Sequence, residues 1–169
     1  MTLDELNGLD PARAAAEFRR CCGSRRWARA MAGARPFASL GAMTSVGEAI
    51  WASLPQDDWL EAFAAHPQIG EQGRVSKWSG EEQARTASAA GDVRERLAAS
   101  NLGYRSRFGY IFVVCATGKS PEEMLALLDA RLTNSPSAEL QVAADEQRKI
   151  TGLRLAKLLE PTHDHNARA

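Results

Sequence analysis

Long apolar runs are missing from this chain of 169 residues. No window approaches about 18 uninterrupted apolar residues, so no membrane-spanning helix is expected. Charge of one sign is missing too. Lys plus Arg number 21 and Asp plus Glu 21, so no basic field is available to hold a nucleic-acid backbone. Cysteine is sparse: Cys21, Cys22 and Cys115. An odd count with two adjacent members builds no disulfide framework and fits a reducing, intracellular setting. No Cys or His pair has the spacing of a zinc site, so no metal is expected. No Gly-x-Gly-x-x-Gly or Walker-type loop supports a nucleotide cofactor. The economical enzyme reading is therefore a reaction with no cofactor. Met1 to Pro11 is acidic and mixed rather than basic and then apolar, and Ala167-Arg168-Ala169 is not a peroxisomal address. The cytoplasm is the expected location.

What is present punctuates helices. Asp10-Pro11 offers an N-cap with proline at the first helical position, and an Ala/Arg/Glu-rich run follows to Cys22. Gly23-Ser24 restarts a shorter segment carrying Trp27, Ala30 and Met31. Arg35-Pro36-Phe37 is a break, Ser45 is a candidate cap for a segment through Trp51, and Pro55-Gln56-Asp57 opens another helix. Glu71 to Trp78 reads as a surface loop. Ser79-Gly80-Glu81-Glu82 then matches a capping box, predicting a long helix to about Ser100 or Asn101. Ser120-Pro121-Glu122-Glu123 repeats the box ahead of a stripe of Met124, Leu125, Leu128 and Leu132. Asn134-Ser135-Pro136 separates that helix from the last, where Leu140, Ala143, Ala144, Gln147, Ile150, Arg154 and Leu158 recur at helical spacing.

Tyr110-Ile111-Phe112-Val113-Val114 resists this pattern. Propensity alone reads a strand, yet no partner strand is offered, and a lone strand leaves its backbone unsatisfied. A fully buried helix is also apolar all round, and that is the expectation here. The predicted fold is all-α: one compact domain of about seven to nine helices over 1–160, with a buried apolar central helix and a disordered tail over 161–169.

Three places carry possible chemistry. His66 is the only histidine ahead of the last seven residues. It ends a run with Trp59, Leu60 and Phe63 on one face, and Pro67 disfavours helical geometry for it. An imidazole at a helix exit can transfer protons near neutral pH, or it can simply cap the preceding carbonyls. Ser79 with Glu82 and Gln83 is sufficiently explained by capping, but the same helix start, with free amides, suits an anionic or amide-rich ligand. Arg107, beside Phe108-Gly109, needs an anionic or carbonyl partner, either internal or on a substrate. Phe112 to Ala116 either packs the core or walls a small-molecule pocket. Cys21, Cys22 and Cys115 read as structural thiols, and His163-Asp164-His165 is a weak metal candidate.

In order along the chain, these segments resemble the 2-oxo-4-hydroxy-4-carboxy-5-ureidoimidazoline (OHCU) decarboxylase family of purine breakdown. The match begins with Cys21-Cys22-Gly23-Ser24, Trp27 and Arg35-Pro36-Phe37. It continues through His66-Pro67-Gln68-Ile69-Gly70, Ser79 with Glu82-Gln83, and Asn101 with Tyr104. Arg107 through Ala116, Arg131-Leu132 with Asn134, and the helix from Glu139 to Leu158 complete it. The resemblance implies an all-helical enzyme, usually a homodimer, without metal or organic cofactor, acting on OHCU. It implies that His66 is the catalytic acid/base; from the chemistry of the reaction Glu82 is the expected second catalytic residue, orienting the imidazole or holding the substrate hydroxyl, with the leading role open between the two. Pro67, Ser79, Gly80, Glu81, Glu82, Gln83, Arg107, Phe112, Val113, Val114, Cys115 and Ala116 are then the expected substrate contacts. The alternative from another class is a helical module that binds a ureide or anion without chemistry.

Overall fold

Eight α-helices form among the residues described: α1 (Leu3–Gly8), α2 (Pro11–Cys22), α3 (Arg25–Gly33), α4 (Leu40–Ser53), α5 (Gln56–Ala64), α6 (Gln83–Phe108), α7 (Pro121–Arg131) and α8 (Pro136–Leu158). The structure, a computed structural model, describes residues 1–66 and 83–160, and the side chains of all of these except 83–90 and Arg94. The expected tail lies outside that range.

Local chemistry sets most helix starts. The Asp10 carboxylate accepts from the amides of Ala12 and Arg13 at 3.1 and 3.0 Å, and Ser24 accepts from Trp27 at 3.1 Å. Ser120 and Glu123 exchange both bonds of a capping box, as the sequence predicts. Thr2 and Glu5 form another box ahead of α1, a helix the sequence reading leaves out although its Thr-x-x-Glu signature is present. The cap of α4 is Ser39, whose hydroxyl accepts from Ala42, so the expected cap Ser45 lies inside the helix.

The long helix α6 runs past Asn101 to Phe108. It continues because Tyr104 and Phe108, one turn apart, both pack into a core, their ring centroids 4.7 Å apart. It stops at Gly109, which takes φ +82° and donates its amide to Arg105 at 2.8 Å.

Two compact units are distinguished: Met1–Ala62 with Gln147–Ala169, and Phe63–Glu146. In the first, α2, α3 and α4 pack in sequence. Phe18 meets Trp27 and Phe37 edge-on at 6.1 Å. The Trp27 indole donates to the Gly47 carbonyl at 2.9 Å, and a Cβ on Gly47 would stand 3.1 Å from that ring. A side chain at that position would press on the same ring that the bond holds.

In the second unit α6 packs on α7. Its core is Leu97, Tyr104, Phe112, Val114, Leu125 and Leu128. The predicted α7 stripe holds at Leu125 and Leu128, while Met124 and Leu132 are half-buried at its margin. On α8 the buried residues are Glu139, Ala143, Ala144, Gln147, Thr151 and Leu155; Ala143, Ala144 and Gln147 are as predicted, while Leu140, Ile150, Arg154 and Leu158 are half-buried.

The buried central helix expected at Tyr110–Val114 is not formed. Residues 111–116 have neither helix, turn nor bend. The strand-like propensity prevails because the backbone finds side chains instead of a neighbouring strand, as described next.

Candidate active site

His66 stands just past the end of α5, half-buried, with its amide donating to the Phe63 carbonyl at 3.1 Å. The helix therefore closes on a short turn at His66. Phe63 is fully buried, and its ring lies 5.3 Å from that of Tyr110. That contact joins the turn carrying His66 to the apolar segment two residues before Phe112.

Phe112, Val113 and Val114 are buried, Cys115 is half-buried and Ala116 is exposed. The segment is pinned by charge-assisted bonds. Arg131, near the end of α7, donates from Nη1 to the Val113 carbonyl at 2.8 Å. Glu146 on α8 accepts from the Cys115 amide at 2.7 Å, and Lys119 Nζ donates to the Cys115 carbonyl at 2.8 Å.

The Arg131 guanidinium is itself fixed. Its Nε donates to Glu139 Oε1 at 2.8 Å, and its plane lies 4.6 Å from the centre of the Phe112 ring. The fully buried Glu139 also accepts from the Tyr104 hydroxyl and from Asn134 Nδ2 at 2.7 Å. Burial, reinforced by the bond to Glu139, pushes the Tyr104 hydroxyl well above the ordinary tyrosine range, so it remains a donor. A buried ion pair is tolerable only when its remaining hydrogen-bonding capacity is filled, and here the Tyr104 hydroxyl, the Asn134 amide and the Val113 carbonyl share that work.

Arg107 is exposed. It donates to the Asn134 carbonyl at 3.2 Å and lies 5.3 Å from the centre of the Phe108 ring. Its predicted need is met by a main-chain carbonyl. Gln83 begins α6, and Arg107 lies 24 residues further along the same uninterrupted helix, about 36 Å at 1.5 Å per residue. One ring-sized molecule cannot touch both within one chain. Pro67, Ser79, Gly80, Glu81 and Glu82, the Gln83 side chain, and His163 with His165 lie outside the described residues. Cys21 and Cys22 are buried, and burial raises each thiol to about 11, as inert packing groups require. Among the described residues no three His, Cys, Asp or Glu side chains gather as a metal would need.

The sequence reading quotes Tyr104, Arg131, Asn134 and Glu139 without giving them a role, and passes over Glu146. A charged residue on the apolar line of a helix is the signal that points to Glu139. Nothing local marks Glu146.

The family model for OHCU decarboxylase matches residues 7–156. The chain belongs to the OHCU decarboxylase family. It is thus a carboxy-lyase of the urate-degradation family group, in an all-α fold. It is 39% identical over 149 residues to the uric acid degradation bifunctional protein TTL of Arabidopsis thaliana, covering 84% of this chain and 46% of the plant protein. It therefore spans about half the length of that relative. It is 29% identical over 160 residues to the 2-oxo-4-hydroxy-4-carboxy-5-ureidoimidazoline decarboxylase of Haloferax volcanii, covering 93% of this chain and 95% of that one. A crystal structure of OHCU decarboxylase in the presence of (S)-allantoin superposes with a TM-score of 0.72 at 39% identity, covering 85% of this chain and 96% of the other.

Proposed function

We propose that this OHCU decarboxylase converts OHCU to (S)-allantoin and carbon dioxide without metal or organic cofactor, with His66 as the acid/base. The observation that carries the reading is family membership across 7–156, a span that includes the His66 turn and the Phe112–Ala116 segment. It also reaches into both compact units, which supports treating 1–160 as one functional domain.

The substrate's own chemistry removes the need for a cofactor. OHCU carries a carboxylate and a hydroxyl on one ring carbon, next to an imine-like carbon. When the C–C bond to the carboxylate breaks, its electron pair forms a C=C bond and the C=N pair moves onto nitrogen. That nitrogen takes up a proton, leaving an enol. His66 then takes or relays the hydroxyl proton as the ketone forms, while the former imine carbon is protonated on one face. One proton is consumed overall, and the protonated face sets the (S) configuration. Glu82 orients the imidazole or holds the hydroxyl, Gln83 reads the ureido or ring amides, and Pro67 and Ser79 to Glu81 are further substrate contacts. Phe112 to Ala116 lines the pocket. Arg107 is left out of this set for a substrate held by Gln83 of the same chain.

Time-resolved circular dichroism of freshly generated OHCU tests this reading. The expected result is decay faster than the spontaneous reaction, with allantoin of one hand accumulating. Unchanged decay in the presence of folded protein overturns it, and release of ammonia or urea instead of carbon dioxide points to a hydrolase. His66→Ala or His66→Asn should lower turnover by about 10²-fold or more. Glu82→Gln should do the same while leaving the melting temperature in place.

A further inference from the structure

We infer that Glu146 and Arg131 are positioning residues for the decarboxylase, acting together as a substitute for a neighbouring strand along one edge of the 112–116 segment. The inference rests on the proposed contact between that segment and the substrate. In a straight, non-helical chain the amide and carbonyl of one residue share an edge, and those of the next residue face the other way. Val113 and Cys115 are alternate residues, and their groups are the ones held: the Val113 carbonyl by Arg131 at 2.8 Å, and the Cys115 amide by Glu146 at 2.7 Å. Lys119 adds a bond to the Cys115 carbonyl at 2.8 Å.

The other edge belongs to Phe112, Val114 and Ala116. Val114 is buried, and buried peptide groups are nearly always paired. A ureide offers adjacent N–H donors and C=O acceptors, the complement of a strand edge. By filling the first edge, Arg131 and Glu146 fix the direction in which the second presents its amide and carbonyl. Without them the segment is free to rotate, and the substrate's reacting carbons lose their register with His66. A misplacement of about 1 Å is enough to cost about 10²-fold in rate.

The test uses the full chain. Glu146→Ala removes the acceptor, whereas Glu146→Gln keeps a carbonyl oxygen at the same place. Glu146→Ala should lower kcat/KM for OHCU about tenfold or more with little change in melting temperature, and the Cys115 amide should exchange hydrogen faster. Glu146→Gln should return both readouts to near the wild-type values. Arg131→Lys keeps the charge but loses the fork that reaches Glu139 and Val113 together, and should lower kcat/KM in the same direction. Full activity of a folded Glu146→Ala protein overturns the inference. So does equal loss in the Ala and Gln variants in step with their melting temperatures, which is the mark of a merely structural role. If the wild-type protein fails to accelerate OHCU decay, the functional reading fails instead, and the exchange rate of the Cys115 amide still reports on the bond to Glu146.

Discussion

Arg131, Tyr104 and Asn134 all converge on the buried carboxylate of Glu139. Glu139→Gln leaves the Arg131 cation buried without its counter-charge, and should cost about 3–5 kcal/mol, read as a fall in melting temperature. Tyr104→Phe removes one donor to a carboxylate that keeps two others, and should cost about 1–2 kcal/mol. The buried thiols make a separate, pH-dependent contribution. Their folded values near 11 lie above the ordinary 9.0, so the folded state retains protons that the unfolded state releases. That stability is complete below pH 9 and is lost as pH rises toward 11. Thermal melts from pH 8 to 11 should show a shallower decline for Cys22→Ala than for the wild type. At this scale the sequence was legible where a residue's partner is close by. Asp10, Ser24 and Ser120 satisfy amides two or three positions away. Arg131 and Glu139 were visible only as charges, since their meaning depends on Tyr104 and Val113, which are distant in sequence.

Among the elements, Tyr110–Val114 is a segment that local reasoning reads as a buried helix and the structure leaves non-helical. Its β-branched and aromatic content points to an extended chain, and the objection was that a lone strand has no partners. The partners are side chains 18 and 31 residues downstream, and no sequence window contains them. Gly109 sets where the segment begins. It sits at φ +82°, a region unfavourable for residues with a Cβ, yet an added Cβ would meet nothing within 4 Å. Gly109→Ala should therefore cost only the backbone term of about 1–2 kcal/mol, with Gly109→Asn milder, as denaturant midpoints should show. Ser120→Ala should weaken the start of α7 by about 1 kcal/mol. The helical class was readable throughout, because caps and periodicity repeat at every turn. The end of α6 was not, because Tyr104 and Phe108 carry it past residues that read as a stop.

For the whole molecule, the homodimer implied by the family resemblance predicts a sedimentation mass of twice the 18.3 kDa chain, and a monomer at working concentrations contradicts that prediction. The last helix has a further consequence. α8 is continuous from Pro136 to Leu158, and it serves the second unit up to Glu146 and the first from Gln147 onward. The first unit is thus closed by bonds such as Arg148 to Glu48 at 2.8 Å and Arg154 to the Cys21 carbonyl at 3.3 Å, whose partners lie 100 and 133 residues apart. Contacts of that span are slow to form, because loop closure precedes any reward. On the ribosome, helices α1 to α4 emerge early but wait for the second half of α8 before their packing is complete. A nascent chain stalled at Glu146 would hold the His66 turn and the Cys115 acceptor, yet lack the closing half of α8. Protease resistance of the first unit should therefore arise only once residues 147–158 have been made, after that of the second unit.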